Sequence, residues 1–255
     1  MAEFVSIAAA RGAPGLRLFG LRGVPSPWTE AAKGIFHVKR LDFLHGARAE
    51  DEPPDALSAW AGDVGVPVVA FEKEKLRTGW AEILLLAERL APEPALVPTE
   101  PEARALFFGL AHEICGEMGF GWAYRLLLIR DSLGHAPDGQ GFPPRVGEHL
   151  AVRYGFNPRS VAIAKQRAID VLSLLSRRIE SRPFLLDETF TALDIYWATF
   201  ANLVTPLPPE ELPAVPMIRA AYTCRDADVL GAVSEKLRAH QRIVYERFLG
   251  LPVAL

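Results

Sequence analysis

The sequence predicts two units of different construction: an α/β unit first, then an all-helical one. Three observations carry this. Between Leu16 and Leu90, short apolar runs alternate with helix-patterned segments. The stretch APEPALVPTEPE then brings four prolines, none of which can continue a helix. Beyond Glu102 the apolar residues recur at the spacing of helix faces. With 255 residues, 50% of them hydrophobic, the chain can bury a substantial core, and the division expected is residues 14–91 and 100–255.

The first unit opens with LRLFGL as a strand, PWTEAAKGIFHV as a helix and KRLDFL as a second strand. That is the spacing of a crossover and predicts a parallel pair. A short helix is expected around PDALSAWAG, and VPVVAFE reads as a buried strand because stiff Val side chains fit a pleated surface. EKLRTG is expected to return as an edge strand, and WAEILLLAERL as a helix burying Ile83, Leu84, Ala87 and Leu90.

In the second unit, Leu110, Ile114, Met118, Trp122, Leu126, Ile129 and Leu133 form the stripe of a long amphipathic helix, read first as core packing. HAPDGQGFPPRVG is expected to be a loop. Helices are expected over GEHLAVRYG, RSVAIAKQRAIDVLSLLSRRIE and DVLGAVSEKLRAHQRIVYERFL. In FTALDIYWATFANLV, Thr191 stands three residues before Asp194 in the arrangement of a capping box, with Phe190 and Ile195 at the staple positions. The helix that follows is apolar on most sides and is expected to run through the middle of a bundle.

Net charge of -3 gives no general attraction to polyanions, so nucleic acid and membrane surfaces are not expected partners. The opening MAEFVSIAAARG lacks the basic start of a secretory leader, and no apolar run is long enough to span a bilayer. Cys115 and Cys224 are too far apart to read as a metal knuckle or disulfide framework, so no metal and a cytoplasmic setting are expected. The expected partner is a small molecule or another subunit.

Three segments together, SPWTEAAKG, GVPVV and FTALDIYWA, resemble the glutathione transferase superfamily in its Ser-type, bacterial-like form. The likeness runs over nearly the whole chain and implies a thioredoxin-like N-terminal domain, an all-α C-terminal domain and a homodimer. It implies that the Pro matching Pro67 is cis and that glutathione is a co-substrate, held in part by Val66 and Pro67 and attacking a hydrophobic electrophile. Ser26, Pro27, Trp28 and Thr29 stand where thioredoxin-like proteins carry Cys-x-x-Cys. Hydroxyls cannot perform dithiol exchange, so what remains is a hydroxyl at the positive end of a helix, where an anion is favoured. The resemblance makes Ser26 the donor to the glutathione thiolate; the other reading is that Ser26 only caps its helix.

The electrophile is expected between the two units, against His112, Cys115, Gly116, Gly119 and an aromatic wall from Trp28. Cys115 and His112 also read as packing residues. The chain departs from the family where an acidic or amide residue and a Ser usually hold the glutamyl end of glutathione. Gly79 and Trp80 stand there instead, leaving backbone amides with Thr78 or Arg77 as substitutes. The alternative function is a non-catalytic member of the same fold that binds a ligand or another protein.

Overall fold

The computed structural model describes residues 4–62, 65–135 and 141–255. The chain starts with β1 (Phe4–Val5), α1 (Ile7–Gly12), β2 (Leu16–Phe19), α2 (Pro27–Val38), β3 (Leu44–Gly46), α3 (Ala56–Ala61), β4 (Val68–Phe71) and α4 (Trp80–Leu90). It continues with α5 (Pro101–Cys115), α6 (Phe120–Arg130), α7 (Pro144–Arg153), α8 (Pro158–Ile179) and α9 (Ala192–Ala201). The last elements are α10 (Pro216–Tyr222), α11 (Ala227–Gly231) and α12 (Glu235–Val244), the last continuing as a wider turn over Tyr245–Leu249. Among the described residues, no helix is long and apolar enough to cross a membrane.

The sheet has strand order β1-β3-β2-β4. β2 and β3 are parallel, as the crossover spacing requires, and β4 runs antiparallel to β2 with Leu18 opposite Val69. The opening residues, which the sequence reading left without a structure, add β1 to the edge beside β3, and Ser6 caps α1 by accepting from the Ala9 amide. β3 begins later than KRLDFL suggested. Residues 39–43 are taken up in closing α2: Arg40 adopts φ 54° and the Leu41 amide reaches back to the Phe36 carbonyl. That bond satisfies a carbonyl orphaned at the helix end. EKLRTG shrinks to one antiparallel bridge, Val69 with Arg77, because α4 starts three residues after Arg77.

The long helix expected over Leu110–Leu133 is two helices. α5 ends at Cys115, Met118 turns out into solvent with φ 61°, and α6 restarts after Gly119. At Gly119 a Cβ would sit 2.6 Å from the carbonyl oxygens of His112 and Glu113, so only glycine lets α6 start this close to the end of α5. The helix expected over DVLGAVSEKLRAHQRIVYERFL is also divided. Ser234 caps α12 through the Leu237 amide, while Ser176 on α8 accepts from the Ser234 amide and donates to the Ala232 carbonyl across the gap. The loop expected over 135–147 lies in part, at 136–140, outside the described residues, as do the first three residues of the opening segment.

α9 is the centre of the molecule: each of its ten residues is buried. Its capping box forms as the motif predicted, with Asp194 Oδ2 accepting from the Thr191 amide at 2.9 Å and Thr191 Oγ1 accepting from the Leu193 amide at 3.3 Å. The other carboxylate oxygen accepts from the Leu185 amide at 2.9 Å and meets His240 Nε2 at 2.9 Å. α2 packs on one side of α9, and a single apolar core runs from Leu18 and Ile35 through Trp197 to Leu172.

Between the two units, residues 91–97 are tied down. Lys39, 2% exposed, pairs with Glu88 at 2.6 Å and donates to the carbonyls of Ala91 and Pro94. The Leu96 amide donates to Glu88, and the Leu96 carbonyl accepts from the Ala192 amide at the start of α9.

Candidate functional site

An open cleft of about 720 Å³ lies between the two units. The sheet side supplies Trp28 from the first turn of α2, Gly65, Val66 and Pro67 from the approach to β4, and Thr78 before α4. The Val66–Pro67 bond is cis. The helical side supplies Cys115, Gly116 and Glu117 from the break between α5 and α6, Trp122 from α6, and Val152 to Gly155 from the end of α7.

Trp28 is fixed by three neighbours. Its indole N–H donates to the Cys115 carbonyl at 3.0 Å, Phe200 of α9 meets it edge-on at 4.8 Å, and Tyr154 lies 6.3 Å away. Gly121 makes this approach possible, since a Cβ there would meet the Phe200 ring and, at 3.1 Å, the Trp28 ring. The expected aromatic wall is therefore also a core contact between α2 and α9.

Of the residues picked from the sequence, Trp28, Val66, Pro67, Thr78, Cys115 and Gly116 come together on this cleft. Ser26, Gly79, Trp80, His112 and Gly119 are not on its lining. Ser26 precedes Pro27 at the start of α2 and is 8% exposed. Its backbone carbonyl accepts from the Glu30 amide, but its side chain makes no cap bond. The hydroxyl thus does not do the capping job that was its plainer reading.

Cys115 is 4% exposed, and burial pushes its thiol well above the ordinary range, so it is a packing residue rather than a nucleophile. The His112 ring lies over Gly116, which leaves no room for a side chain there, and His112 itself is exposed. Gly116 and Gly119 admit a ring and a helix end; the close approach read as clearance for a ligand is made by the protein itself.

At the start of α4, Trp80 faces inward. Its ring stands edge-on to Tyr196 at 5.6 Å and 6.3 Å from Phe108, and its carbonyl accepts from the Tyr196 hydroxyl. Glu82, in the first turn, turns back on Gly79, with Oε2 3.3 Å from where a Gly79 side chain would begin. Lys75 holds Glu82 at 2.7 Å, and its hydrogen bond, more than that from the Gly79 amide, keeps the Glu82 carboxyl below the usual range. The positive end of α4 is already answered by the chain's own carboxylate.

Two side chains that pattern did not reveal matter here. Arg153 crosses the cleft and lies against Gly65, where a Cβ would strike its guanidinium. Arg125, on α6, is 6% exposed behind the cleft wall. Its guanidinium carbon lies 5.9 Å from the Trp28 ring, 6.0 Å from Tyr154, 5.3 Å from Phe142 and 5.7 Å from Tyr222. The available signal was a lone cation inside the apolar run FGWAYRLLLI.

No protein-family model matches the sequence, and no curated protein does. Solved structures do match. A glutathione S-transferase from Methylobacillus flagellatus with glutathione bound aligns over 86% of this chain and 99% of its own, at 13% identity and a TM-score of 0.55. The chain has the glutathione transferase fold. A β-etherase from Sphingobium of the same fold aligns over 89% and 98% of the two chains at 16% identity and a TM-score of 0.55. A glutathione S-transferase from Xanthobacter autotrophicus covers 94% of this chain and 98% of its own at 16% identity, with a TM-score of 0.54. On the glutathione transferase fold, the α/β unit is the thioredoxin-like part, and the cleft lies between it and the helical part.

Proposed function

We propose that the chain is a glutathione-dependent transferase whose thioredoxin-like unit, residues 14–91, holds glutathione while the helical unit, residues 100–255, holds a hydrophobic electrophile. The observation that carries this reading is the cleft itself. The cis Val66–Pro67 segment and the first turn of α2 stand on one side and an aromatic helical wall on the other, on this fold. Glutathione would lie along Val66, Pro67 and Thr78 and compete with Glu82 for the backbone amides of Gly79 and Trp80 at the start of α4. Its thiol, having lost its proton to solvent, attacks the electrophilic carbon; the carbon–sulfur bond forms as the leaving group departs with its electron pair. The Ser26 hydroxyl, free of any cap bond, is the donor in this proposal, and a donor to the thiolate lowers the thiol pKa. The protein would act as a cytoplasmic homodimer, which sedimentation at micromolar concentration checks.

A second reading has specific observations behind it: Ser26 is off the cleft lining, Trp80 is turned towards Tyr196, and Glu82 occupies the start of α4. These favour a ligand-binding or protein-associating member of the fold without conjugation. Calorimetric titration with glutathione, followed by conjugation assays over several electrophiles, divides the two. Binding with turnover supports the transferase; no binding at millimolar glutathione sinks it and leaves the second reading.

A further inference from the structure

Behind the cleft wall lies a charge that no described residue answers with an opposite charge. Arg125 is buried on α6, and among the described residues it makes no ion pair. Its Nη2 donates to the Tyr222 hydroxyl at 3.4 Å, the Tyr154 ring stands 6.0 Å from its guanidinium carbon, and its Nε is buried without a partner. The other buried cations are answered differently: Lys39 meets Glu88, and Arg17 donates to the carbonyls of Ala13 and Glu72. A buried ion without an opposite charge is strongly unfavourable, and an apolar side chain of similar volume is the usual better solution. Aromatic faces offset part of the cost through their quadrupoles but supply no full negative charge.

Two of the four rings around Arg125, Trp28 and Tyr154, are shared with the cleft lining. That sharing gives the charge an outlet. A guanidinium has donors only, so where it meets a phenol oxygen it leaves the phenol proton for an acceptor elsewhere. A hydroxyl polarised by a full positive charge in a poorly solvated wall is a strengthened donor. We propose that the cleft selects a substrate with an anionic oxygen, a carboxylate or phenolate on an aromatic body, which accepts from the Tyr154 hydroxyl while its ring lies against Trp28 and Trp122. Tyr154 is the contact, and Arg125 is a positioning residue acting through it. This rests on the assignment of the cleft as the electrophile site and adds the class of substrate it takes.

The test is calorimetry on the full chain with nitrobenzoate and its methyl ester, which share a ring and differ in charge, in the absence of glutathione. The parent should bind the acid about tenfold or more tightly than the ester, the scale of one charge-assisted hydrogen bond. Tyr154→Phe should abolish most of that preference while leaving ester binding nearly unchanged. Arg125→Met should abolish it too while leaving ester binding nearly unchanged, a split that a purely structural arginine would not show. Should Arg125→Met fail to fold, Tyr154→Phe, a change at a half-buried position, decides alone. Equal binding of acid and ester by the parent overturns the proposal. So does a preference that survives Tyr154→Phe and disappears in Arg153→Gln, because Arg153 also faces the cleft. Glutathione is titrated separately: if it fails to bind while the acid preference holds, the transferase reading falls and the anion site stands.

Discussion

Of the helices that begin with a hydroxyl residue, α9 and α2 give theirs opposite fates. At α9, Thr191 and Asp194 close a reciprocal box, and Asp194 goes on to satisfy Leu185 and His240, so every polar group at that buried end has a partner. At α2, Ser26 stands in the cap position with its side chain unengaged. The contrast extends beyond the caps. In the sheet unit, Thr29 Oγ1, His45 Nε2 and Arg17 Nε are buried without partners; in the helical unit Arg125 Nε is too, while His240, Asn202 and Gln241 are all hydrogen-bonded. Among the described residues, three of these four unpartnered groups fall in the sheet unit, whereas the polar groups around α9 are closed on one another.

The largest way to break the comparison is at Asp194. Asp194→Ala strands the Leu185 and Thr191 amides and leaves His240 alone in the core, at a cost of about 3–5 kcal/mol in denaturant unfolding. A loss under 1 kcal/mol would mean that the network does not carry the stability assigned to it. Next is His45. Burial first, then the charges of Lys33 and Arg22, lower its pKa from 6.5 to about 4. The folded state therefore disfavours the imidazolium. The stabilisation held by the neutral ring is complete above pH 6.5 and is lost as the pH falls towards about 4, by an amount on the order of 3 kcal/mol. His45→Leu should flatten that acid limb of the stability profile; an unchanged slope would place the sensitivity elsewhere.

Thr191→Ala is milder, about 0.5–2 kcal/mol, because Asp194 keeps its remaining partners. Smallest in stability is Ser26→Ala, which should shift the unfolding free energy by less than about 0.5 kcal/mol, there being no cap bond to lose. Its effect belongs to chemistry. If Ser26 is the thiolate donor, conjugation falls more at neutral than at alkaline pH, where hydroxide makes up the thiolate fraction. Equal loss at every pH, or none, would assign that role to another donor.

What could be read from the sequence followed the range of the interaction. The α9 box is a three-residue relation, and the paired β2 and β3 follow from a crossover spacing, so both were legible. The break between α5 and α6 was not, because Ile114, Met118 and Trp122 keep a step of four straight through it, and the glycines that enforce the break carry no apolar signal. Ser234 was a legible cap signal hidden inside a continuous apolar pattern. In the site, Trp28 and the Val66–Pro67 pair were found from local motifs, while Arg125 and Tyr154 depend on α6 and α7 meeting α2, a relation that no spacing records. For the same reason the place of Trp80 at a helix start was readable but its direction was not, since that is set by Tyr196, far along the chain.

The Lys39 anchorage has a further consequence. With its ammonium fastened to Glu88 and to the carbonyls of Ala91 and Pro94, and Leu96 bonded to the first residue of α9, the connecting segment has no slack to act as a hinge. The two jaws of the cleft are held at a fixed gape. Admission of a guest then depends on rotation of side chains such as Tyr154 and Arg153, motions far faster than domain opening. Association should accordingly run as one concentration-dependent phase without a slow closing step, and the amides of the connecting segment should exchange with deuterium no faster in the empty protein than in the occupied one.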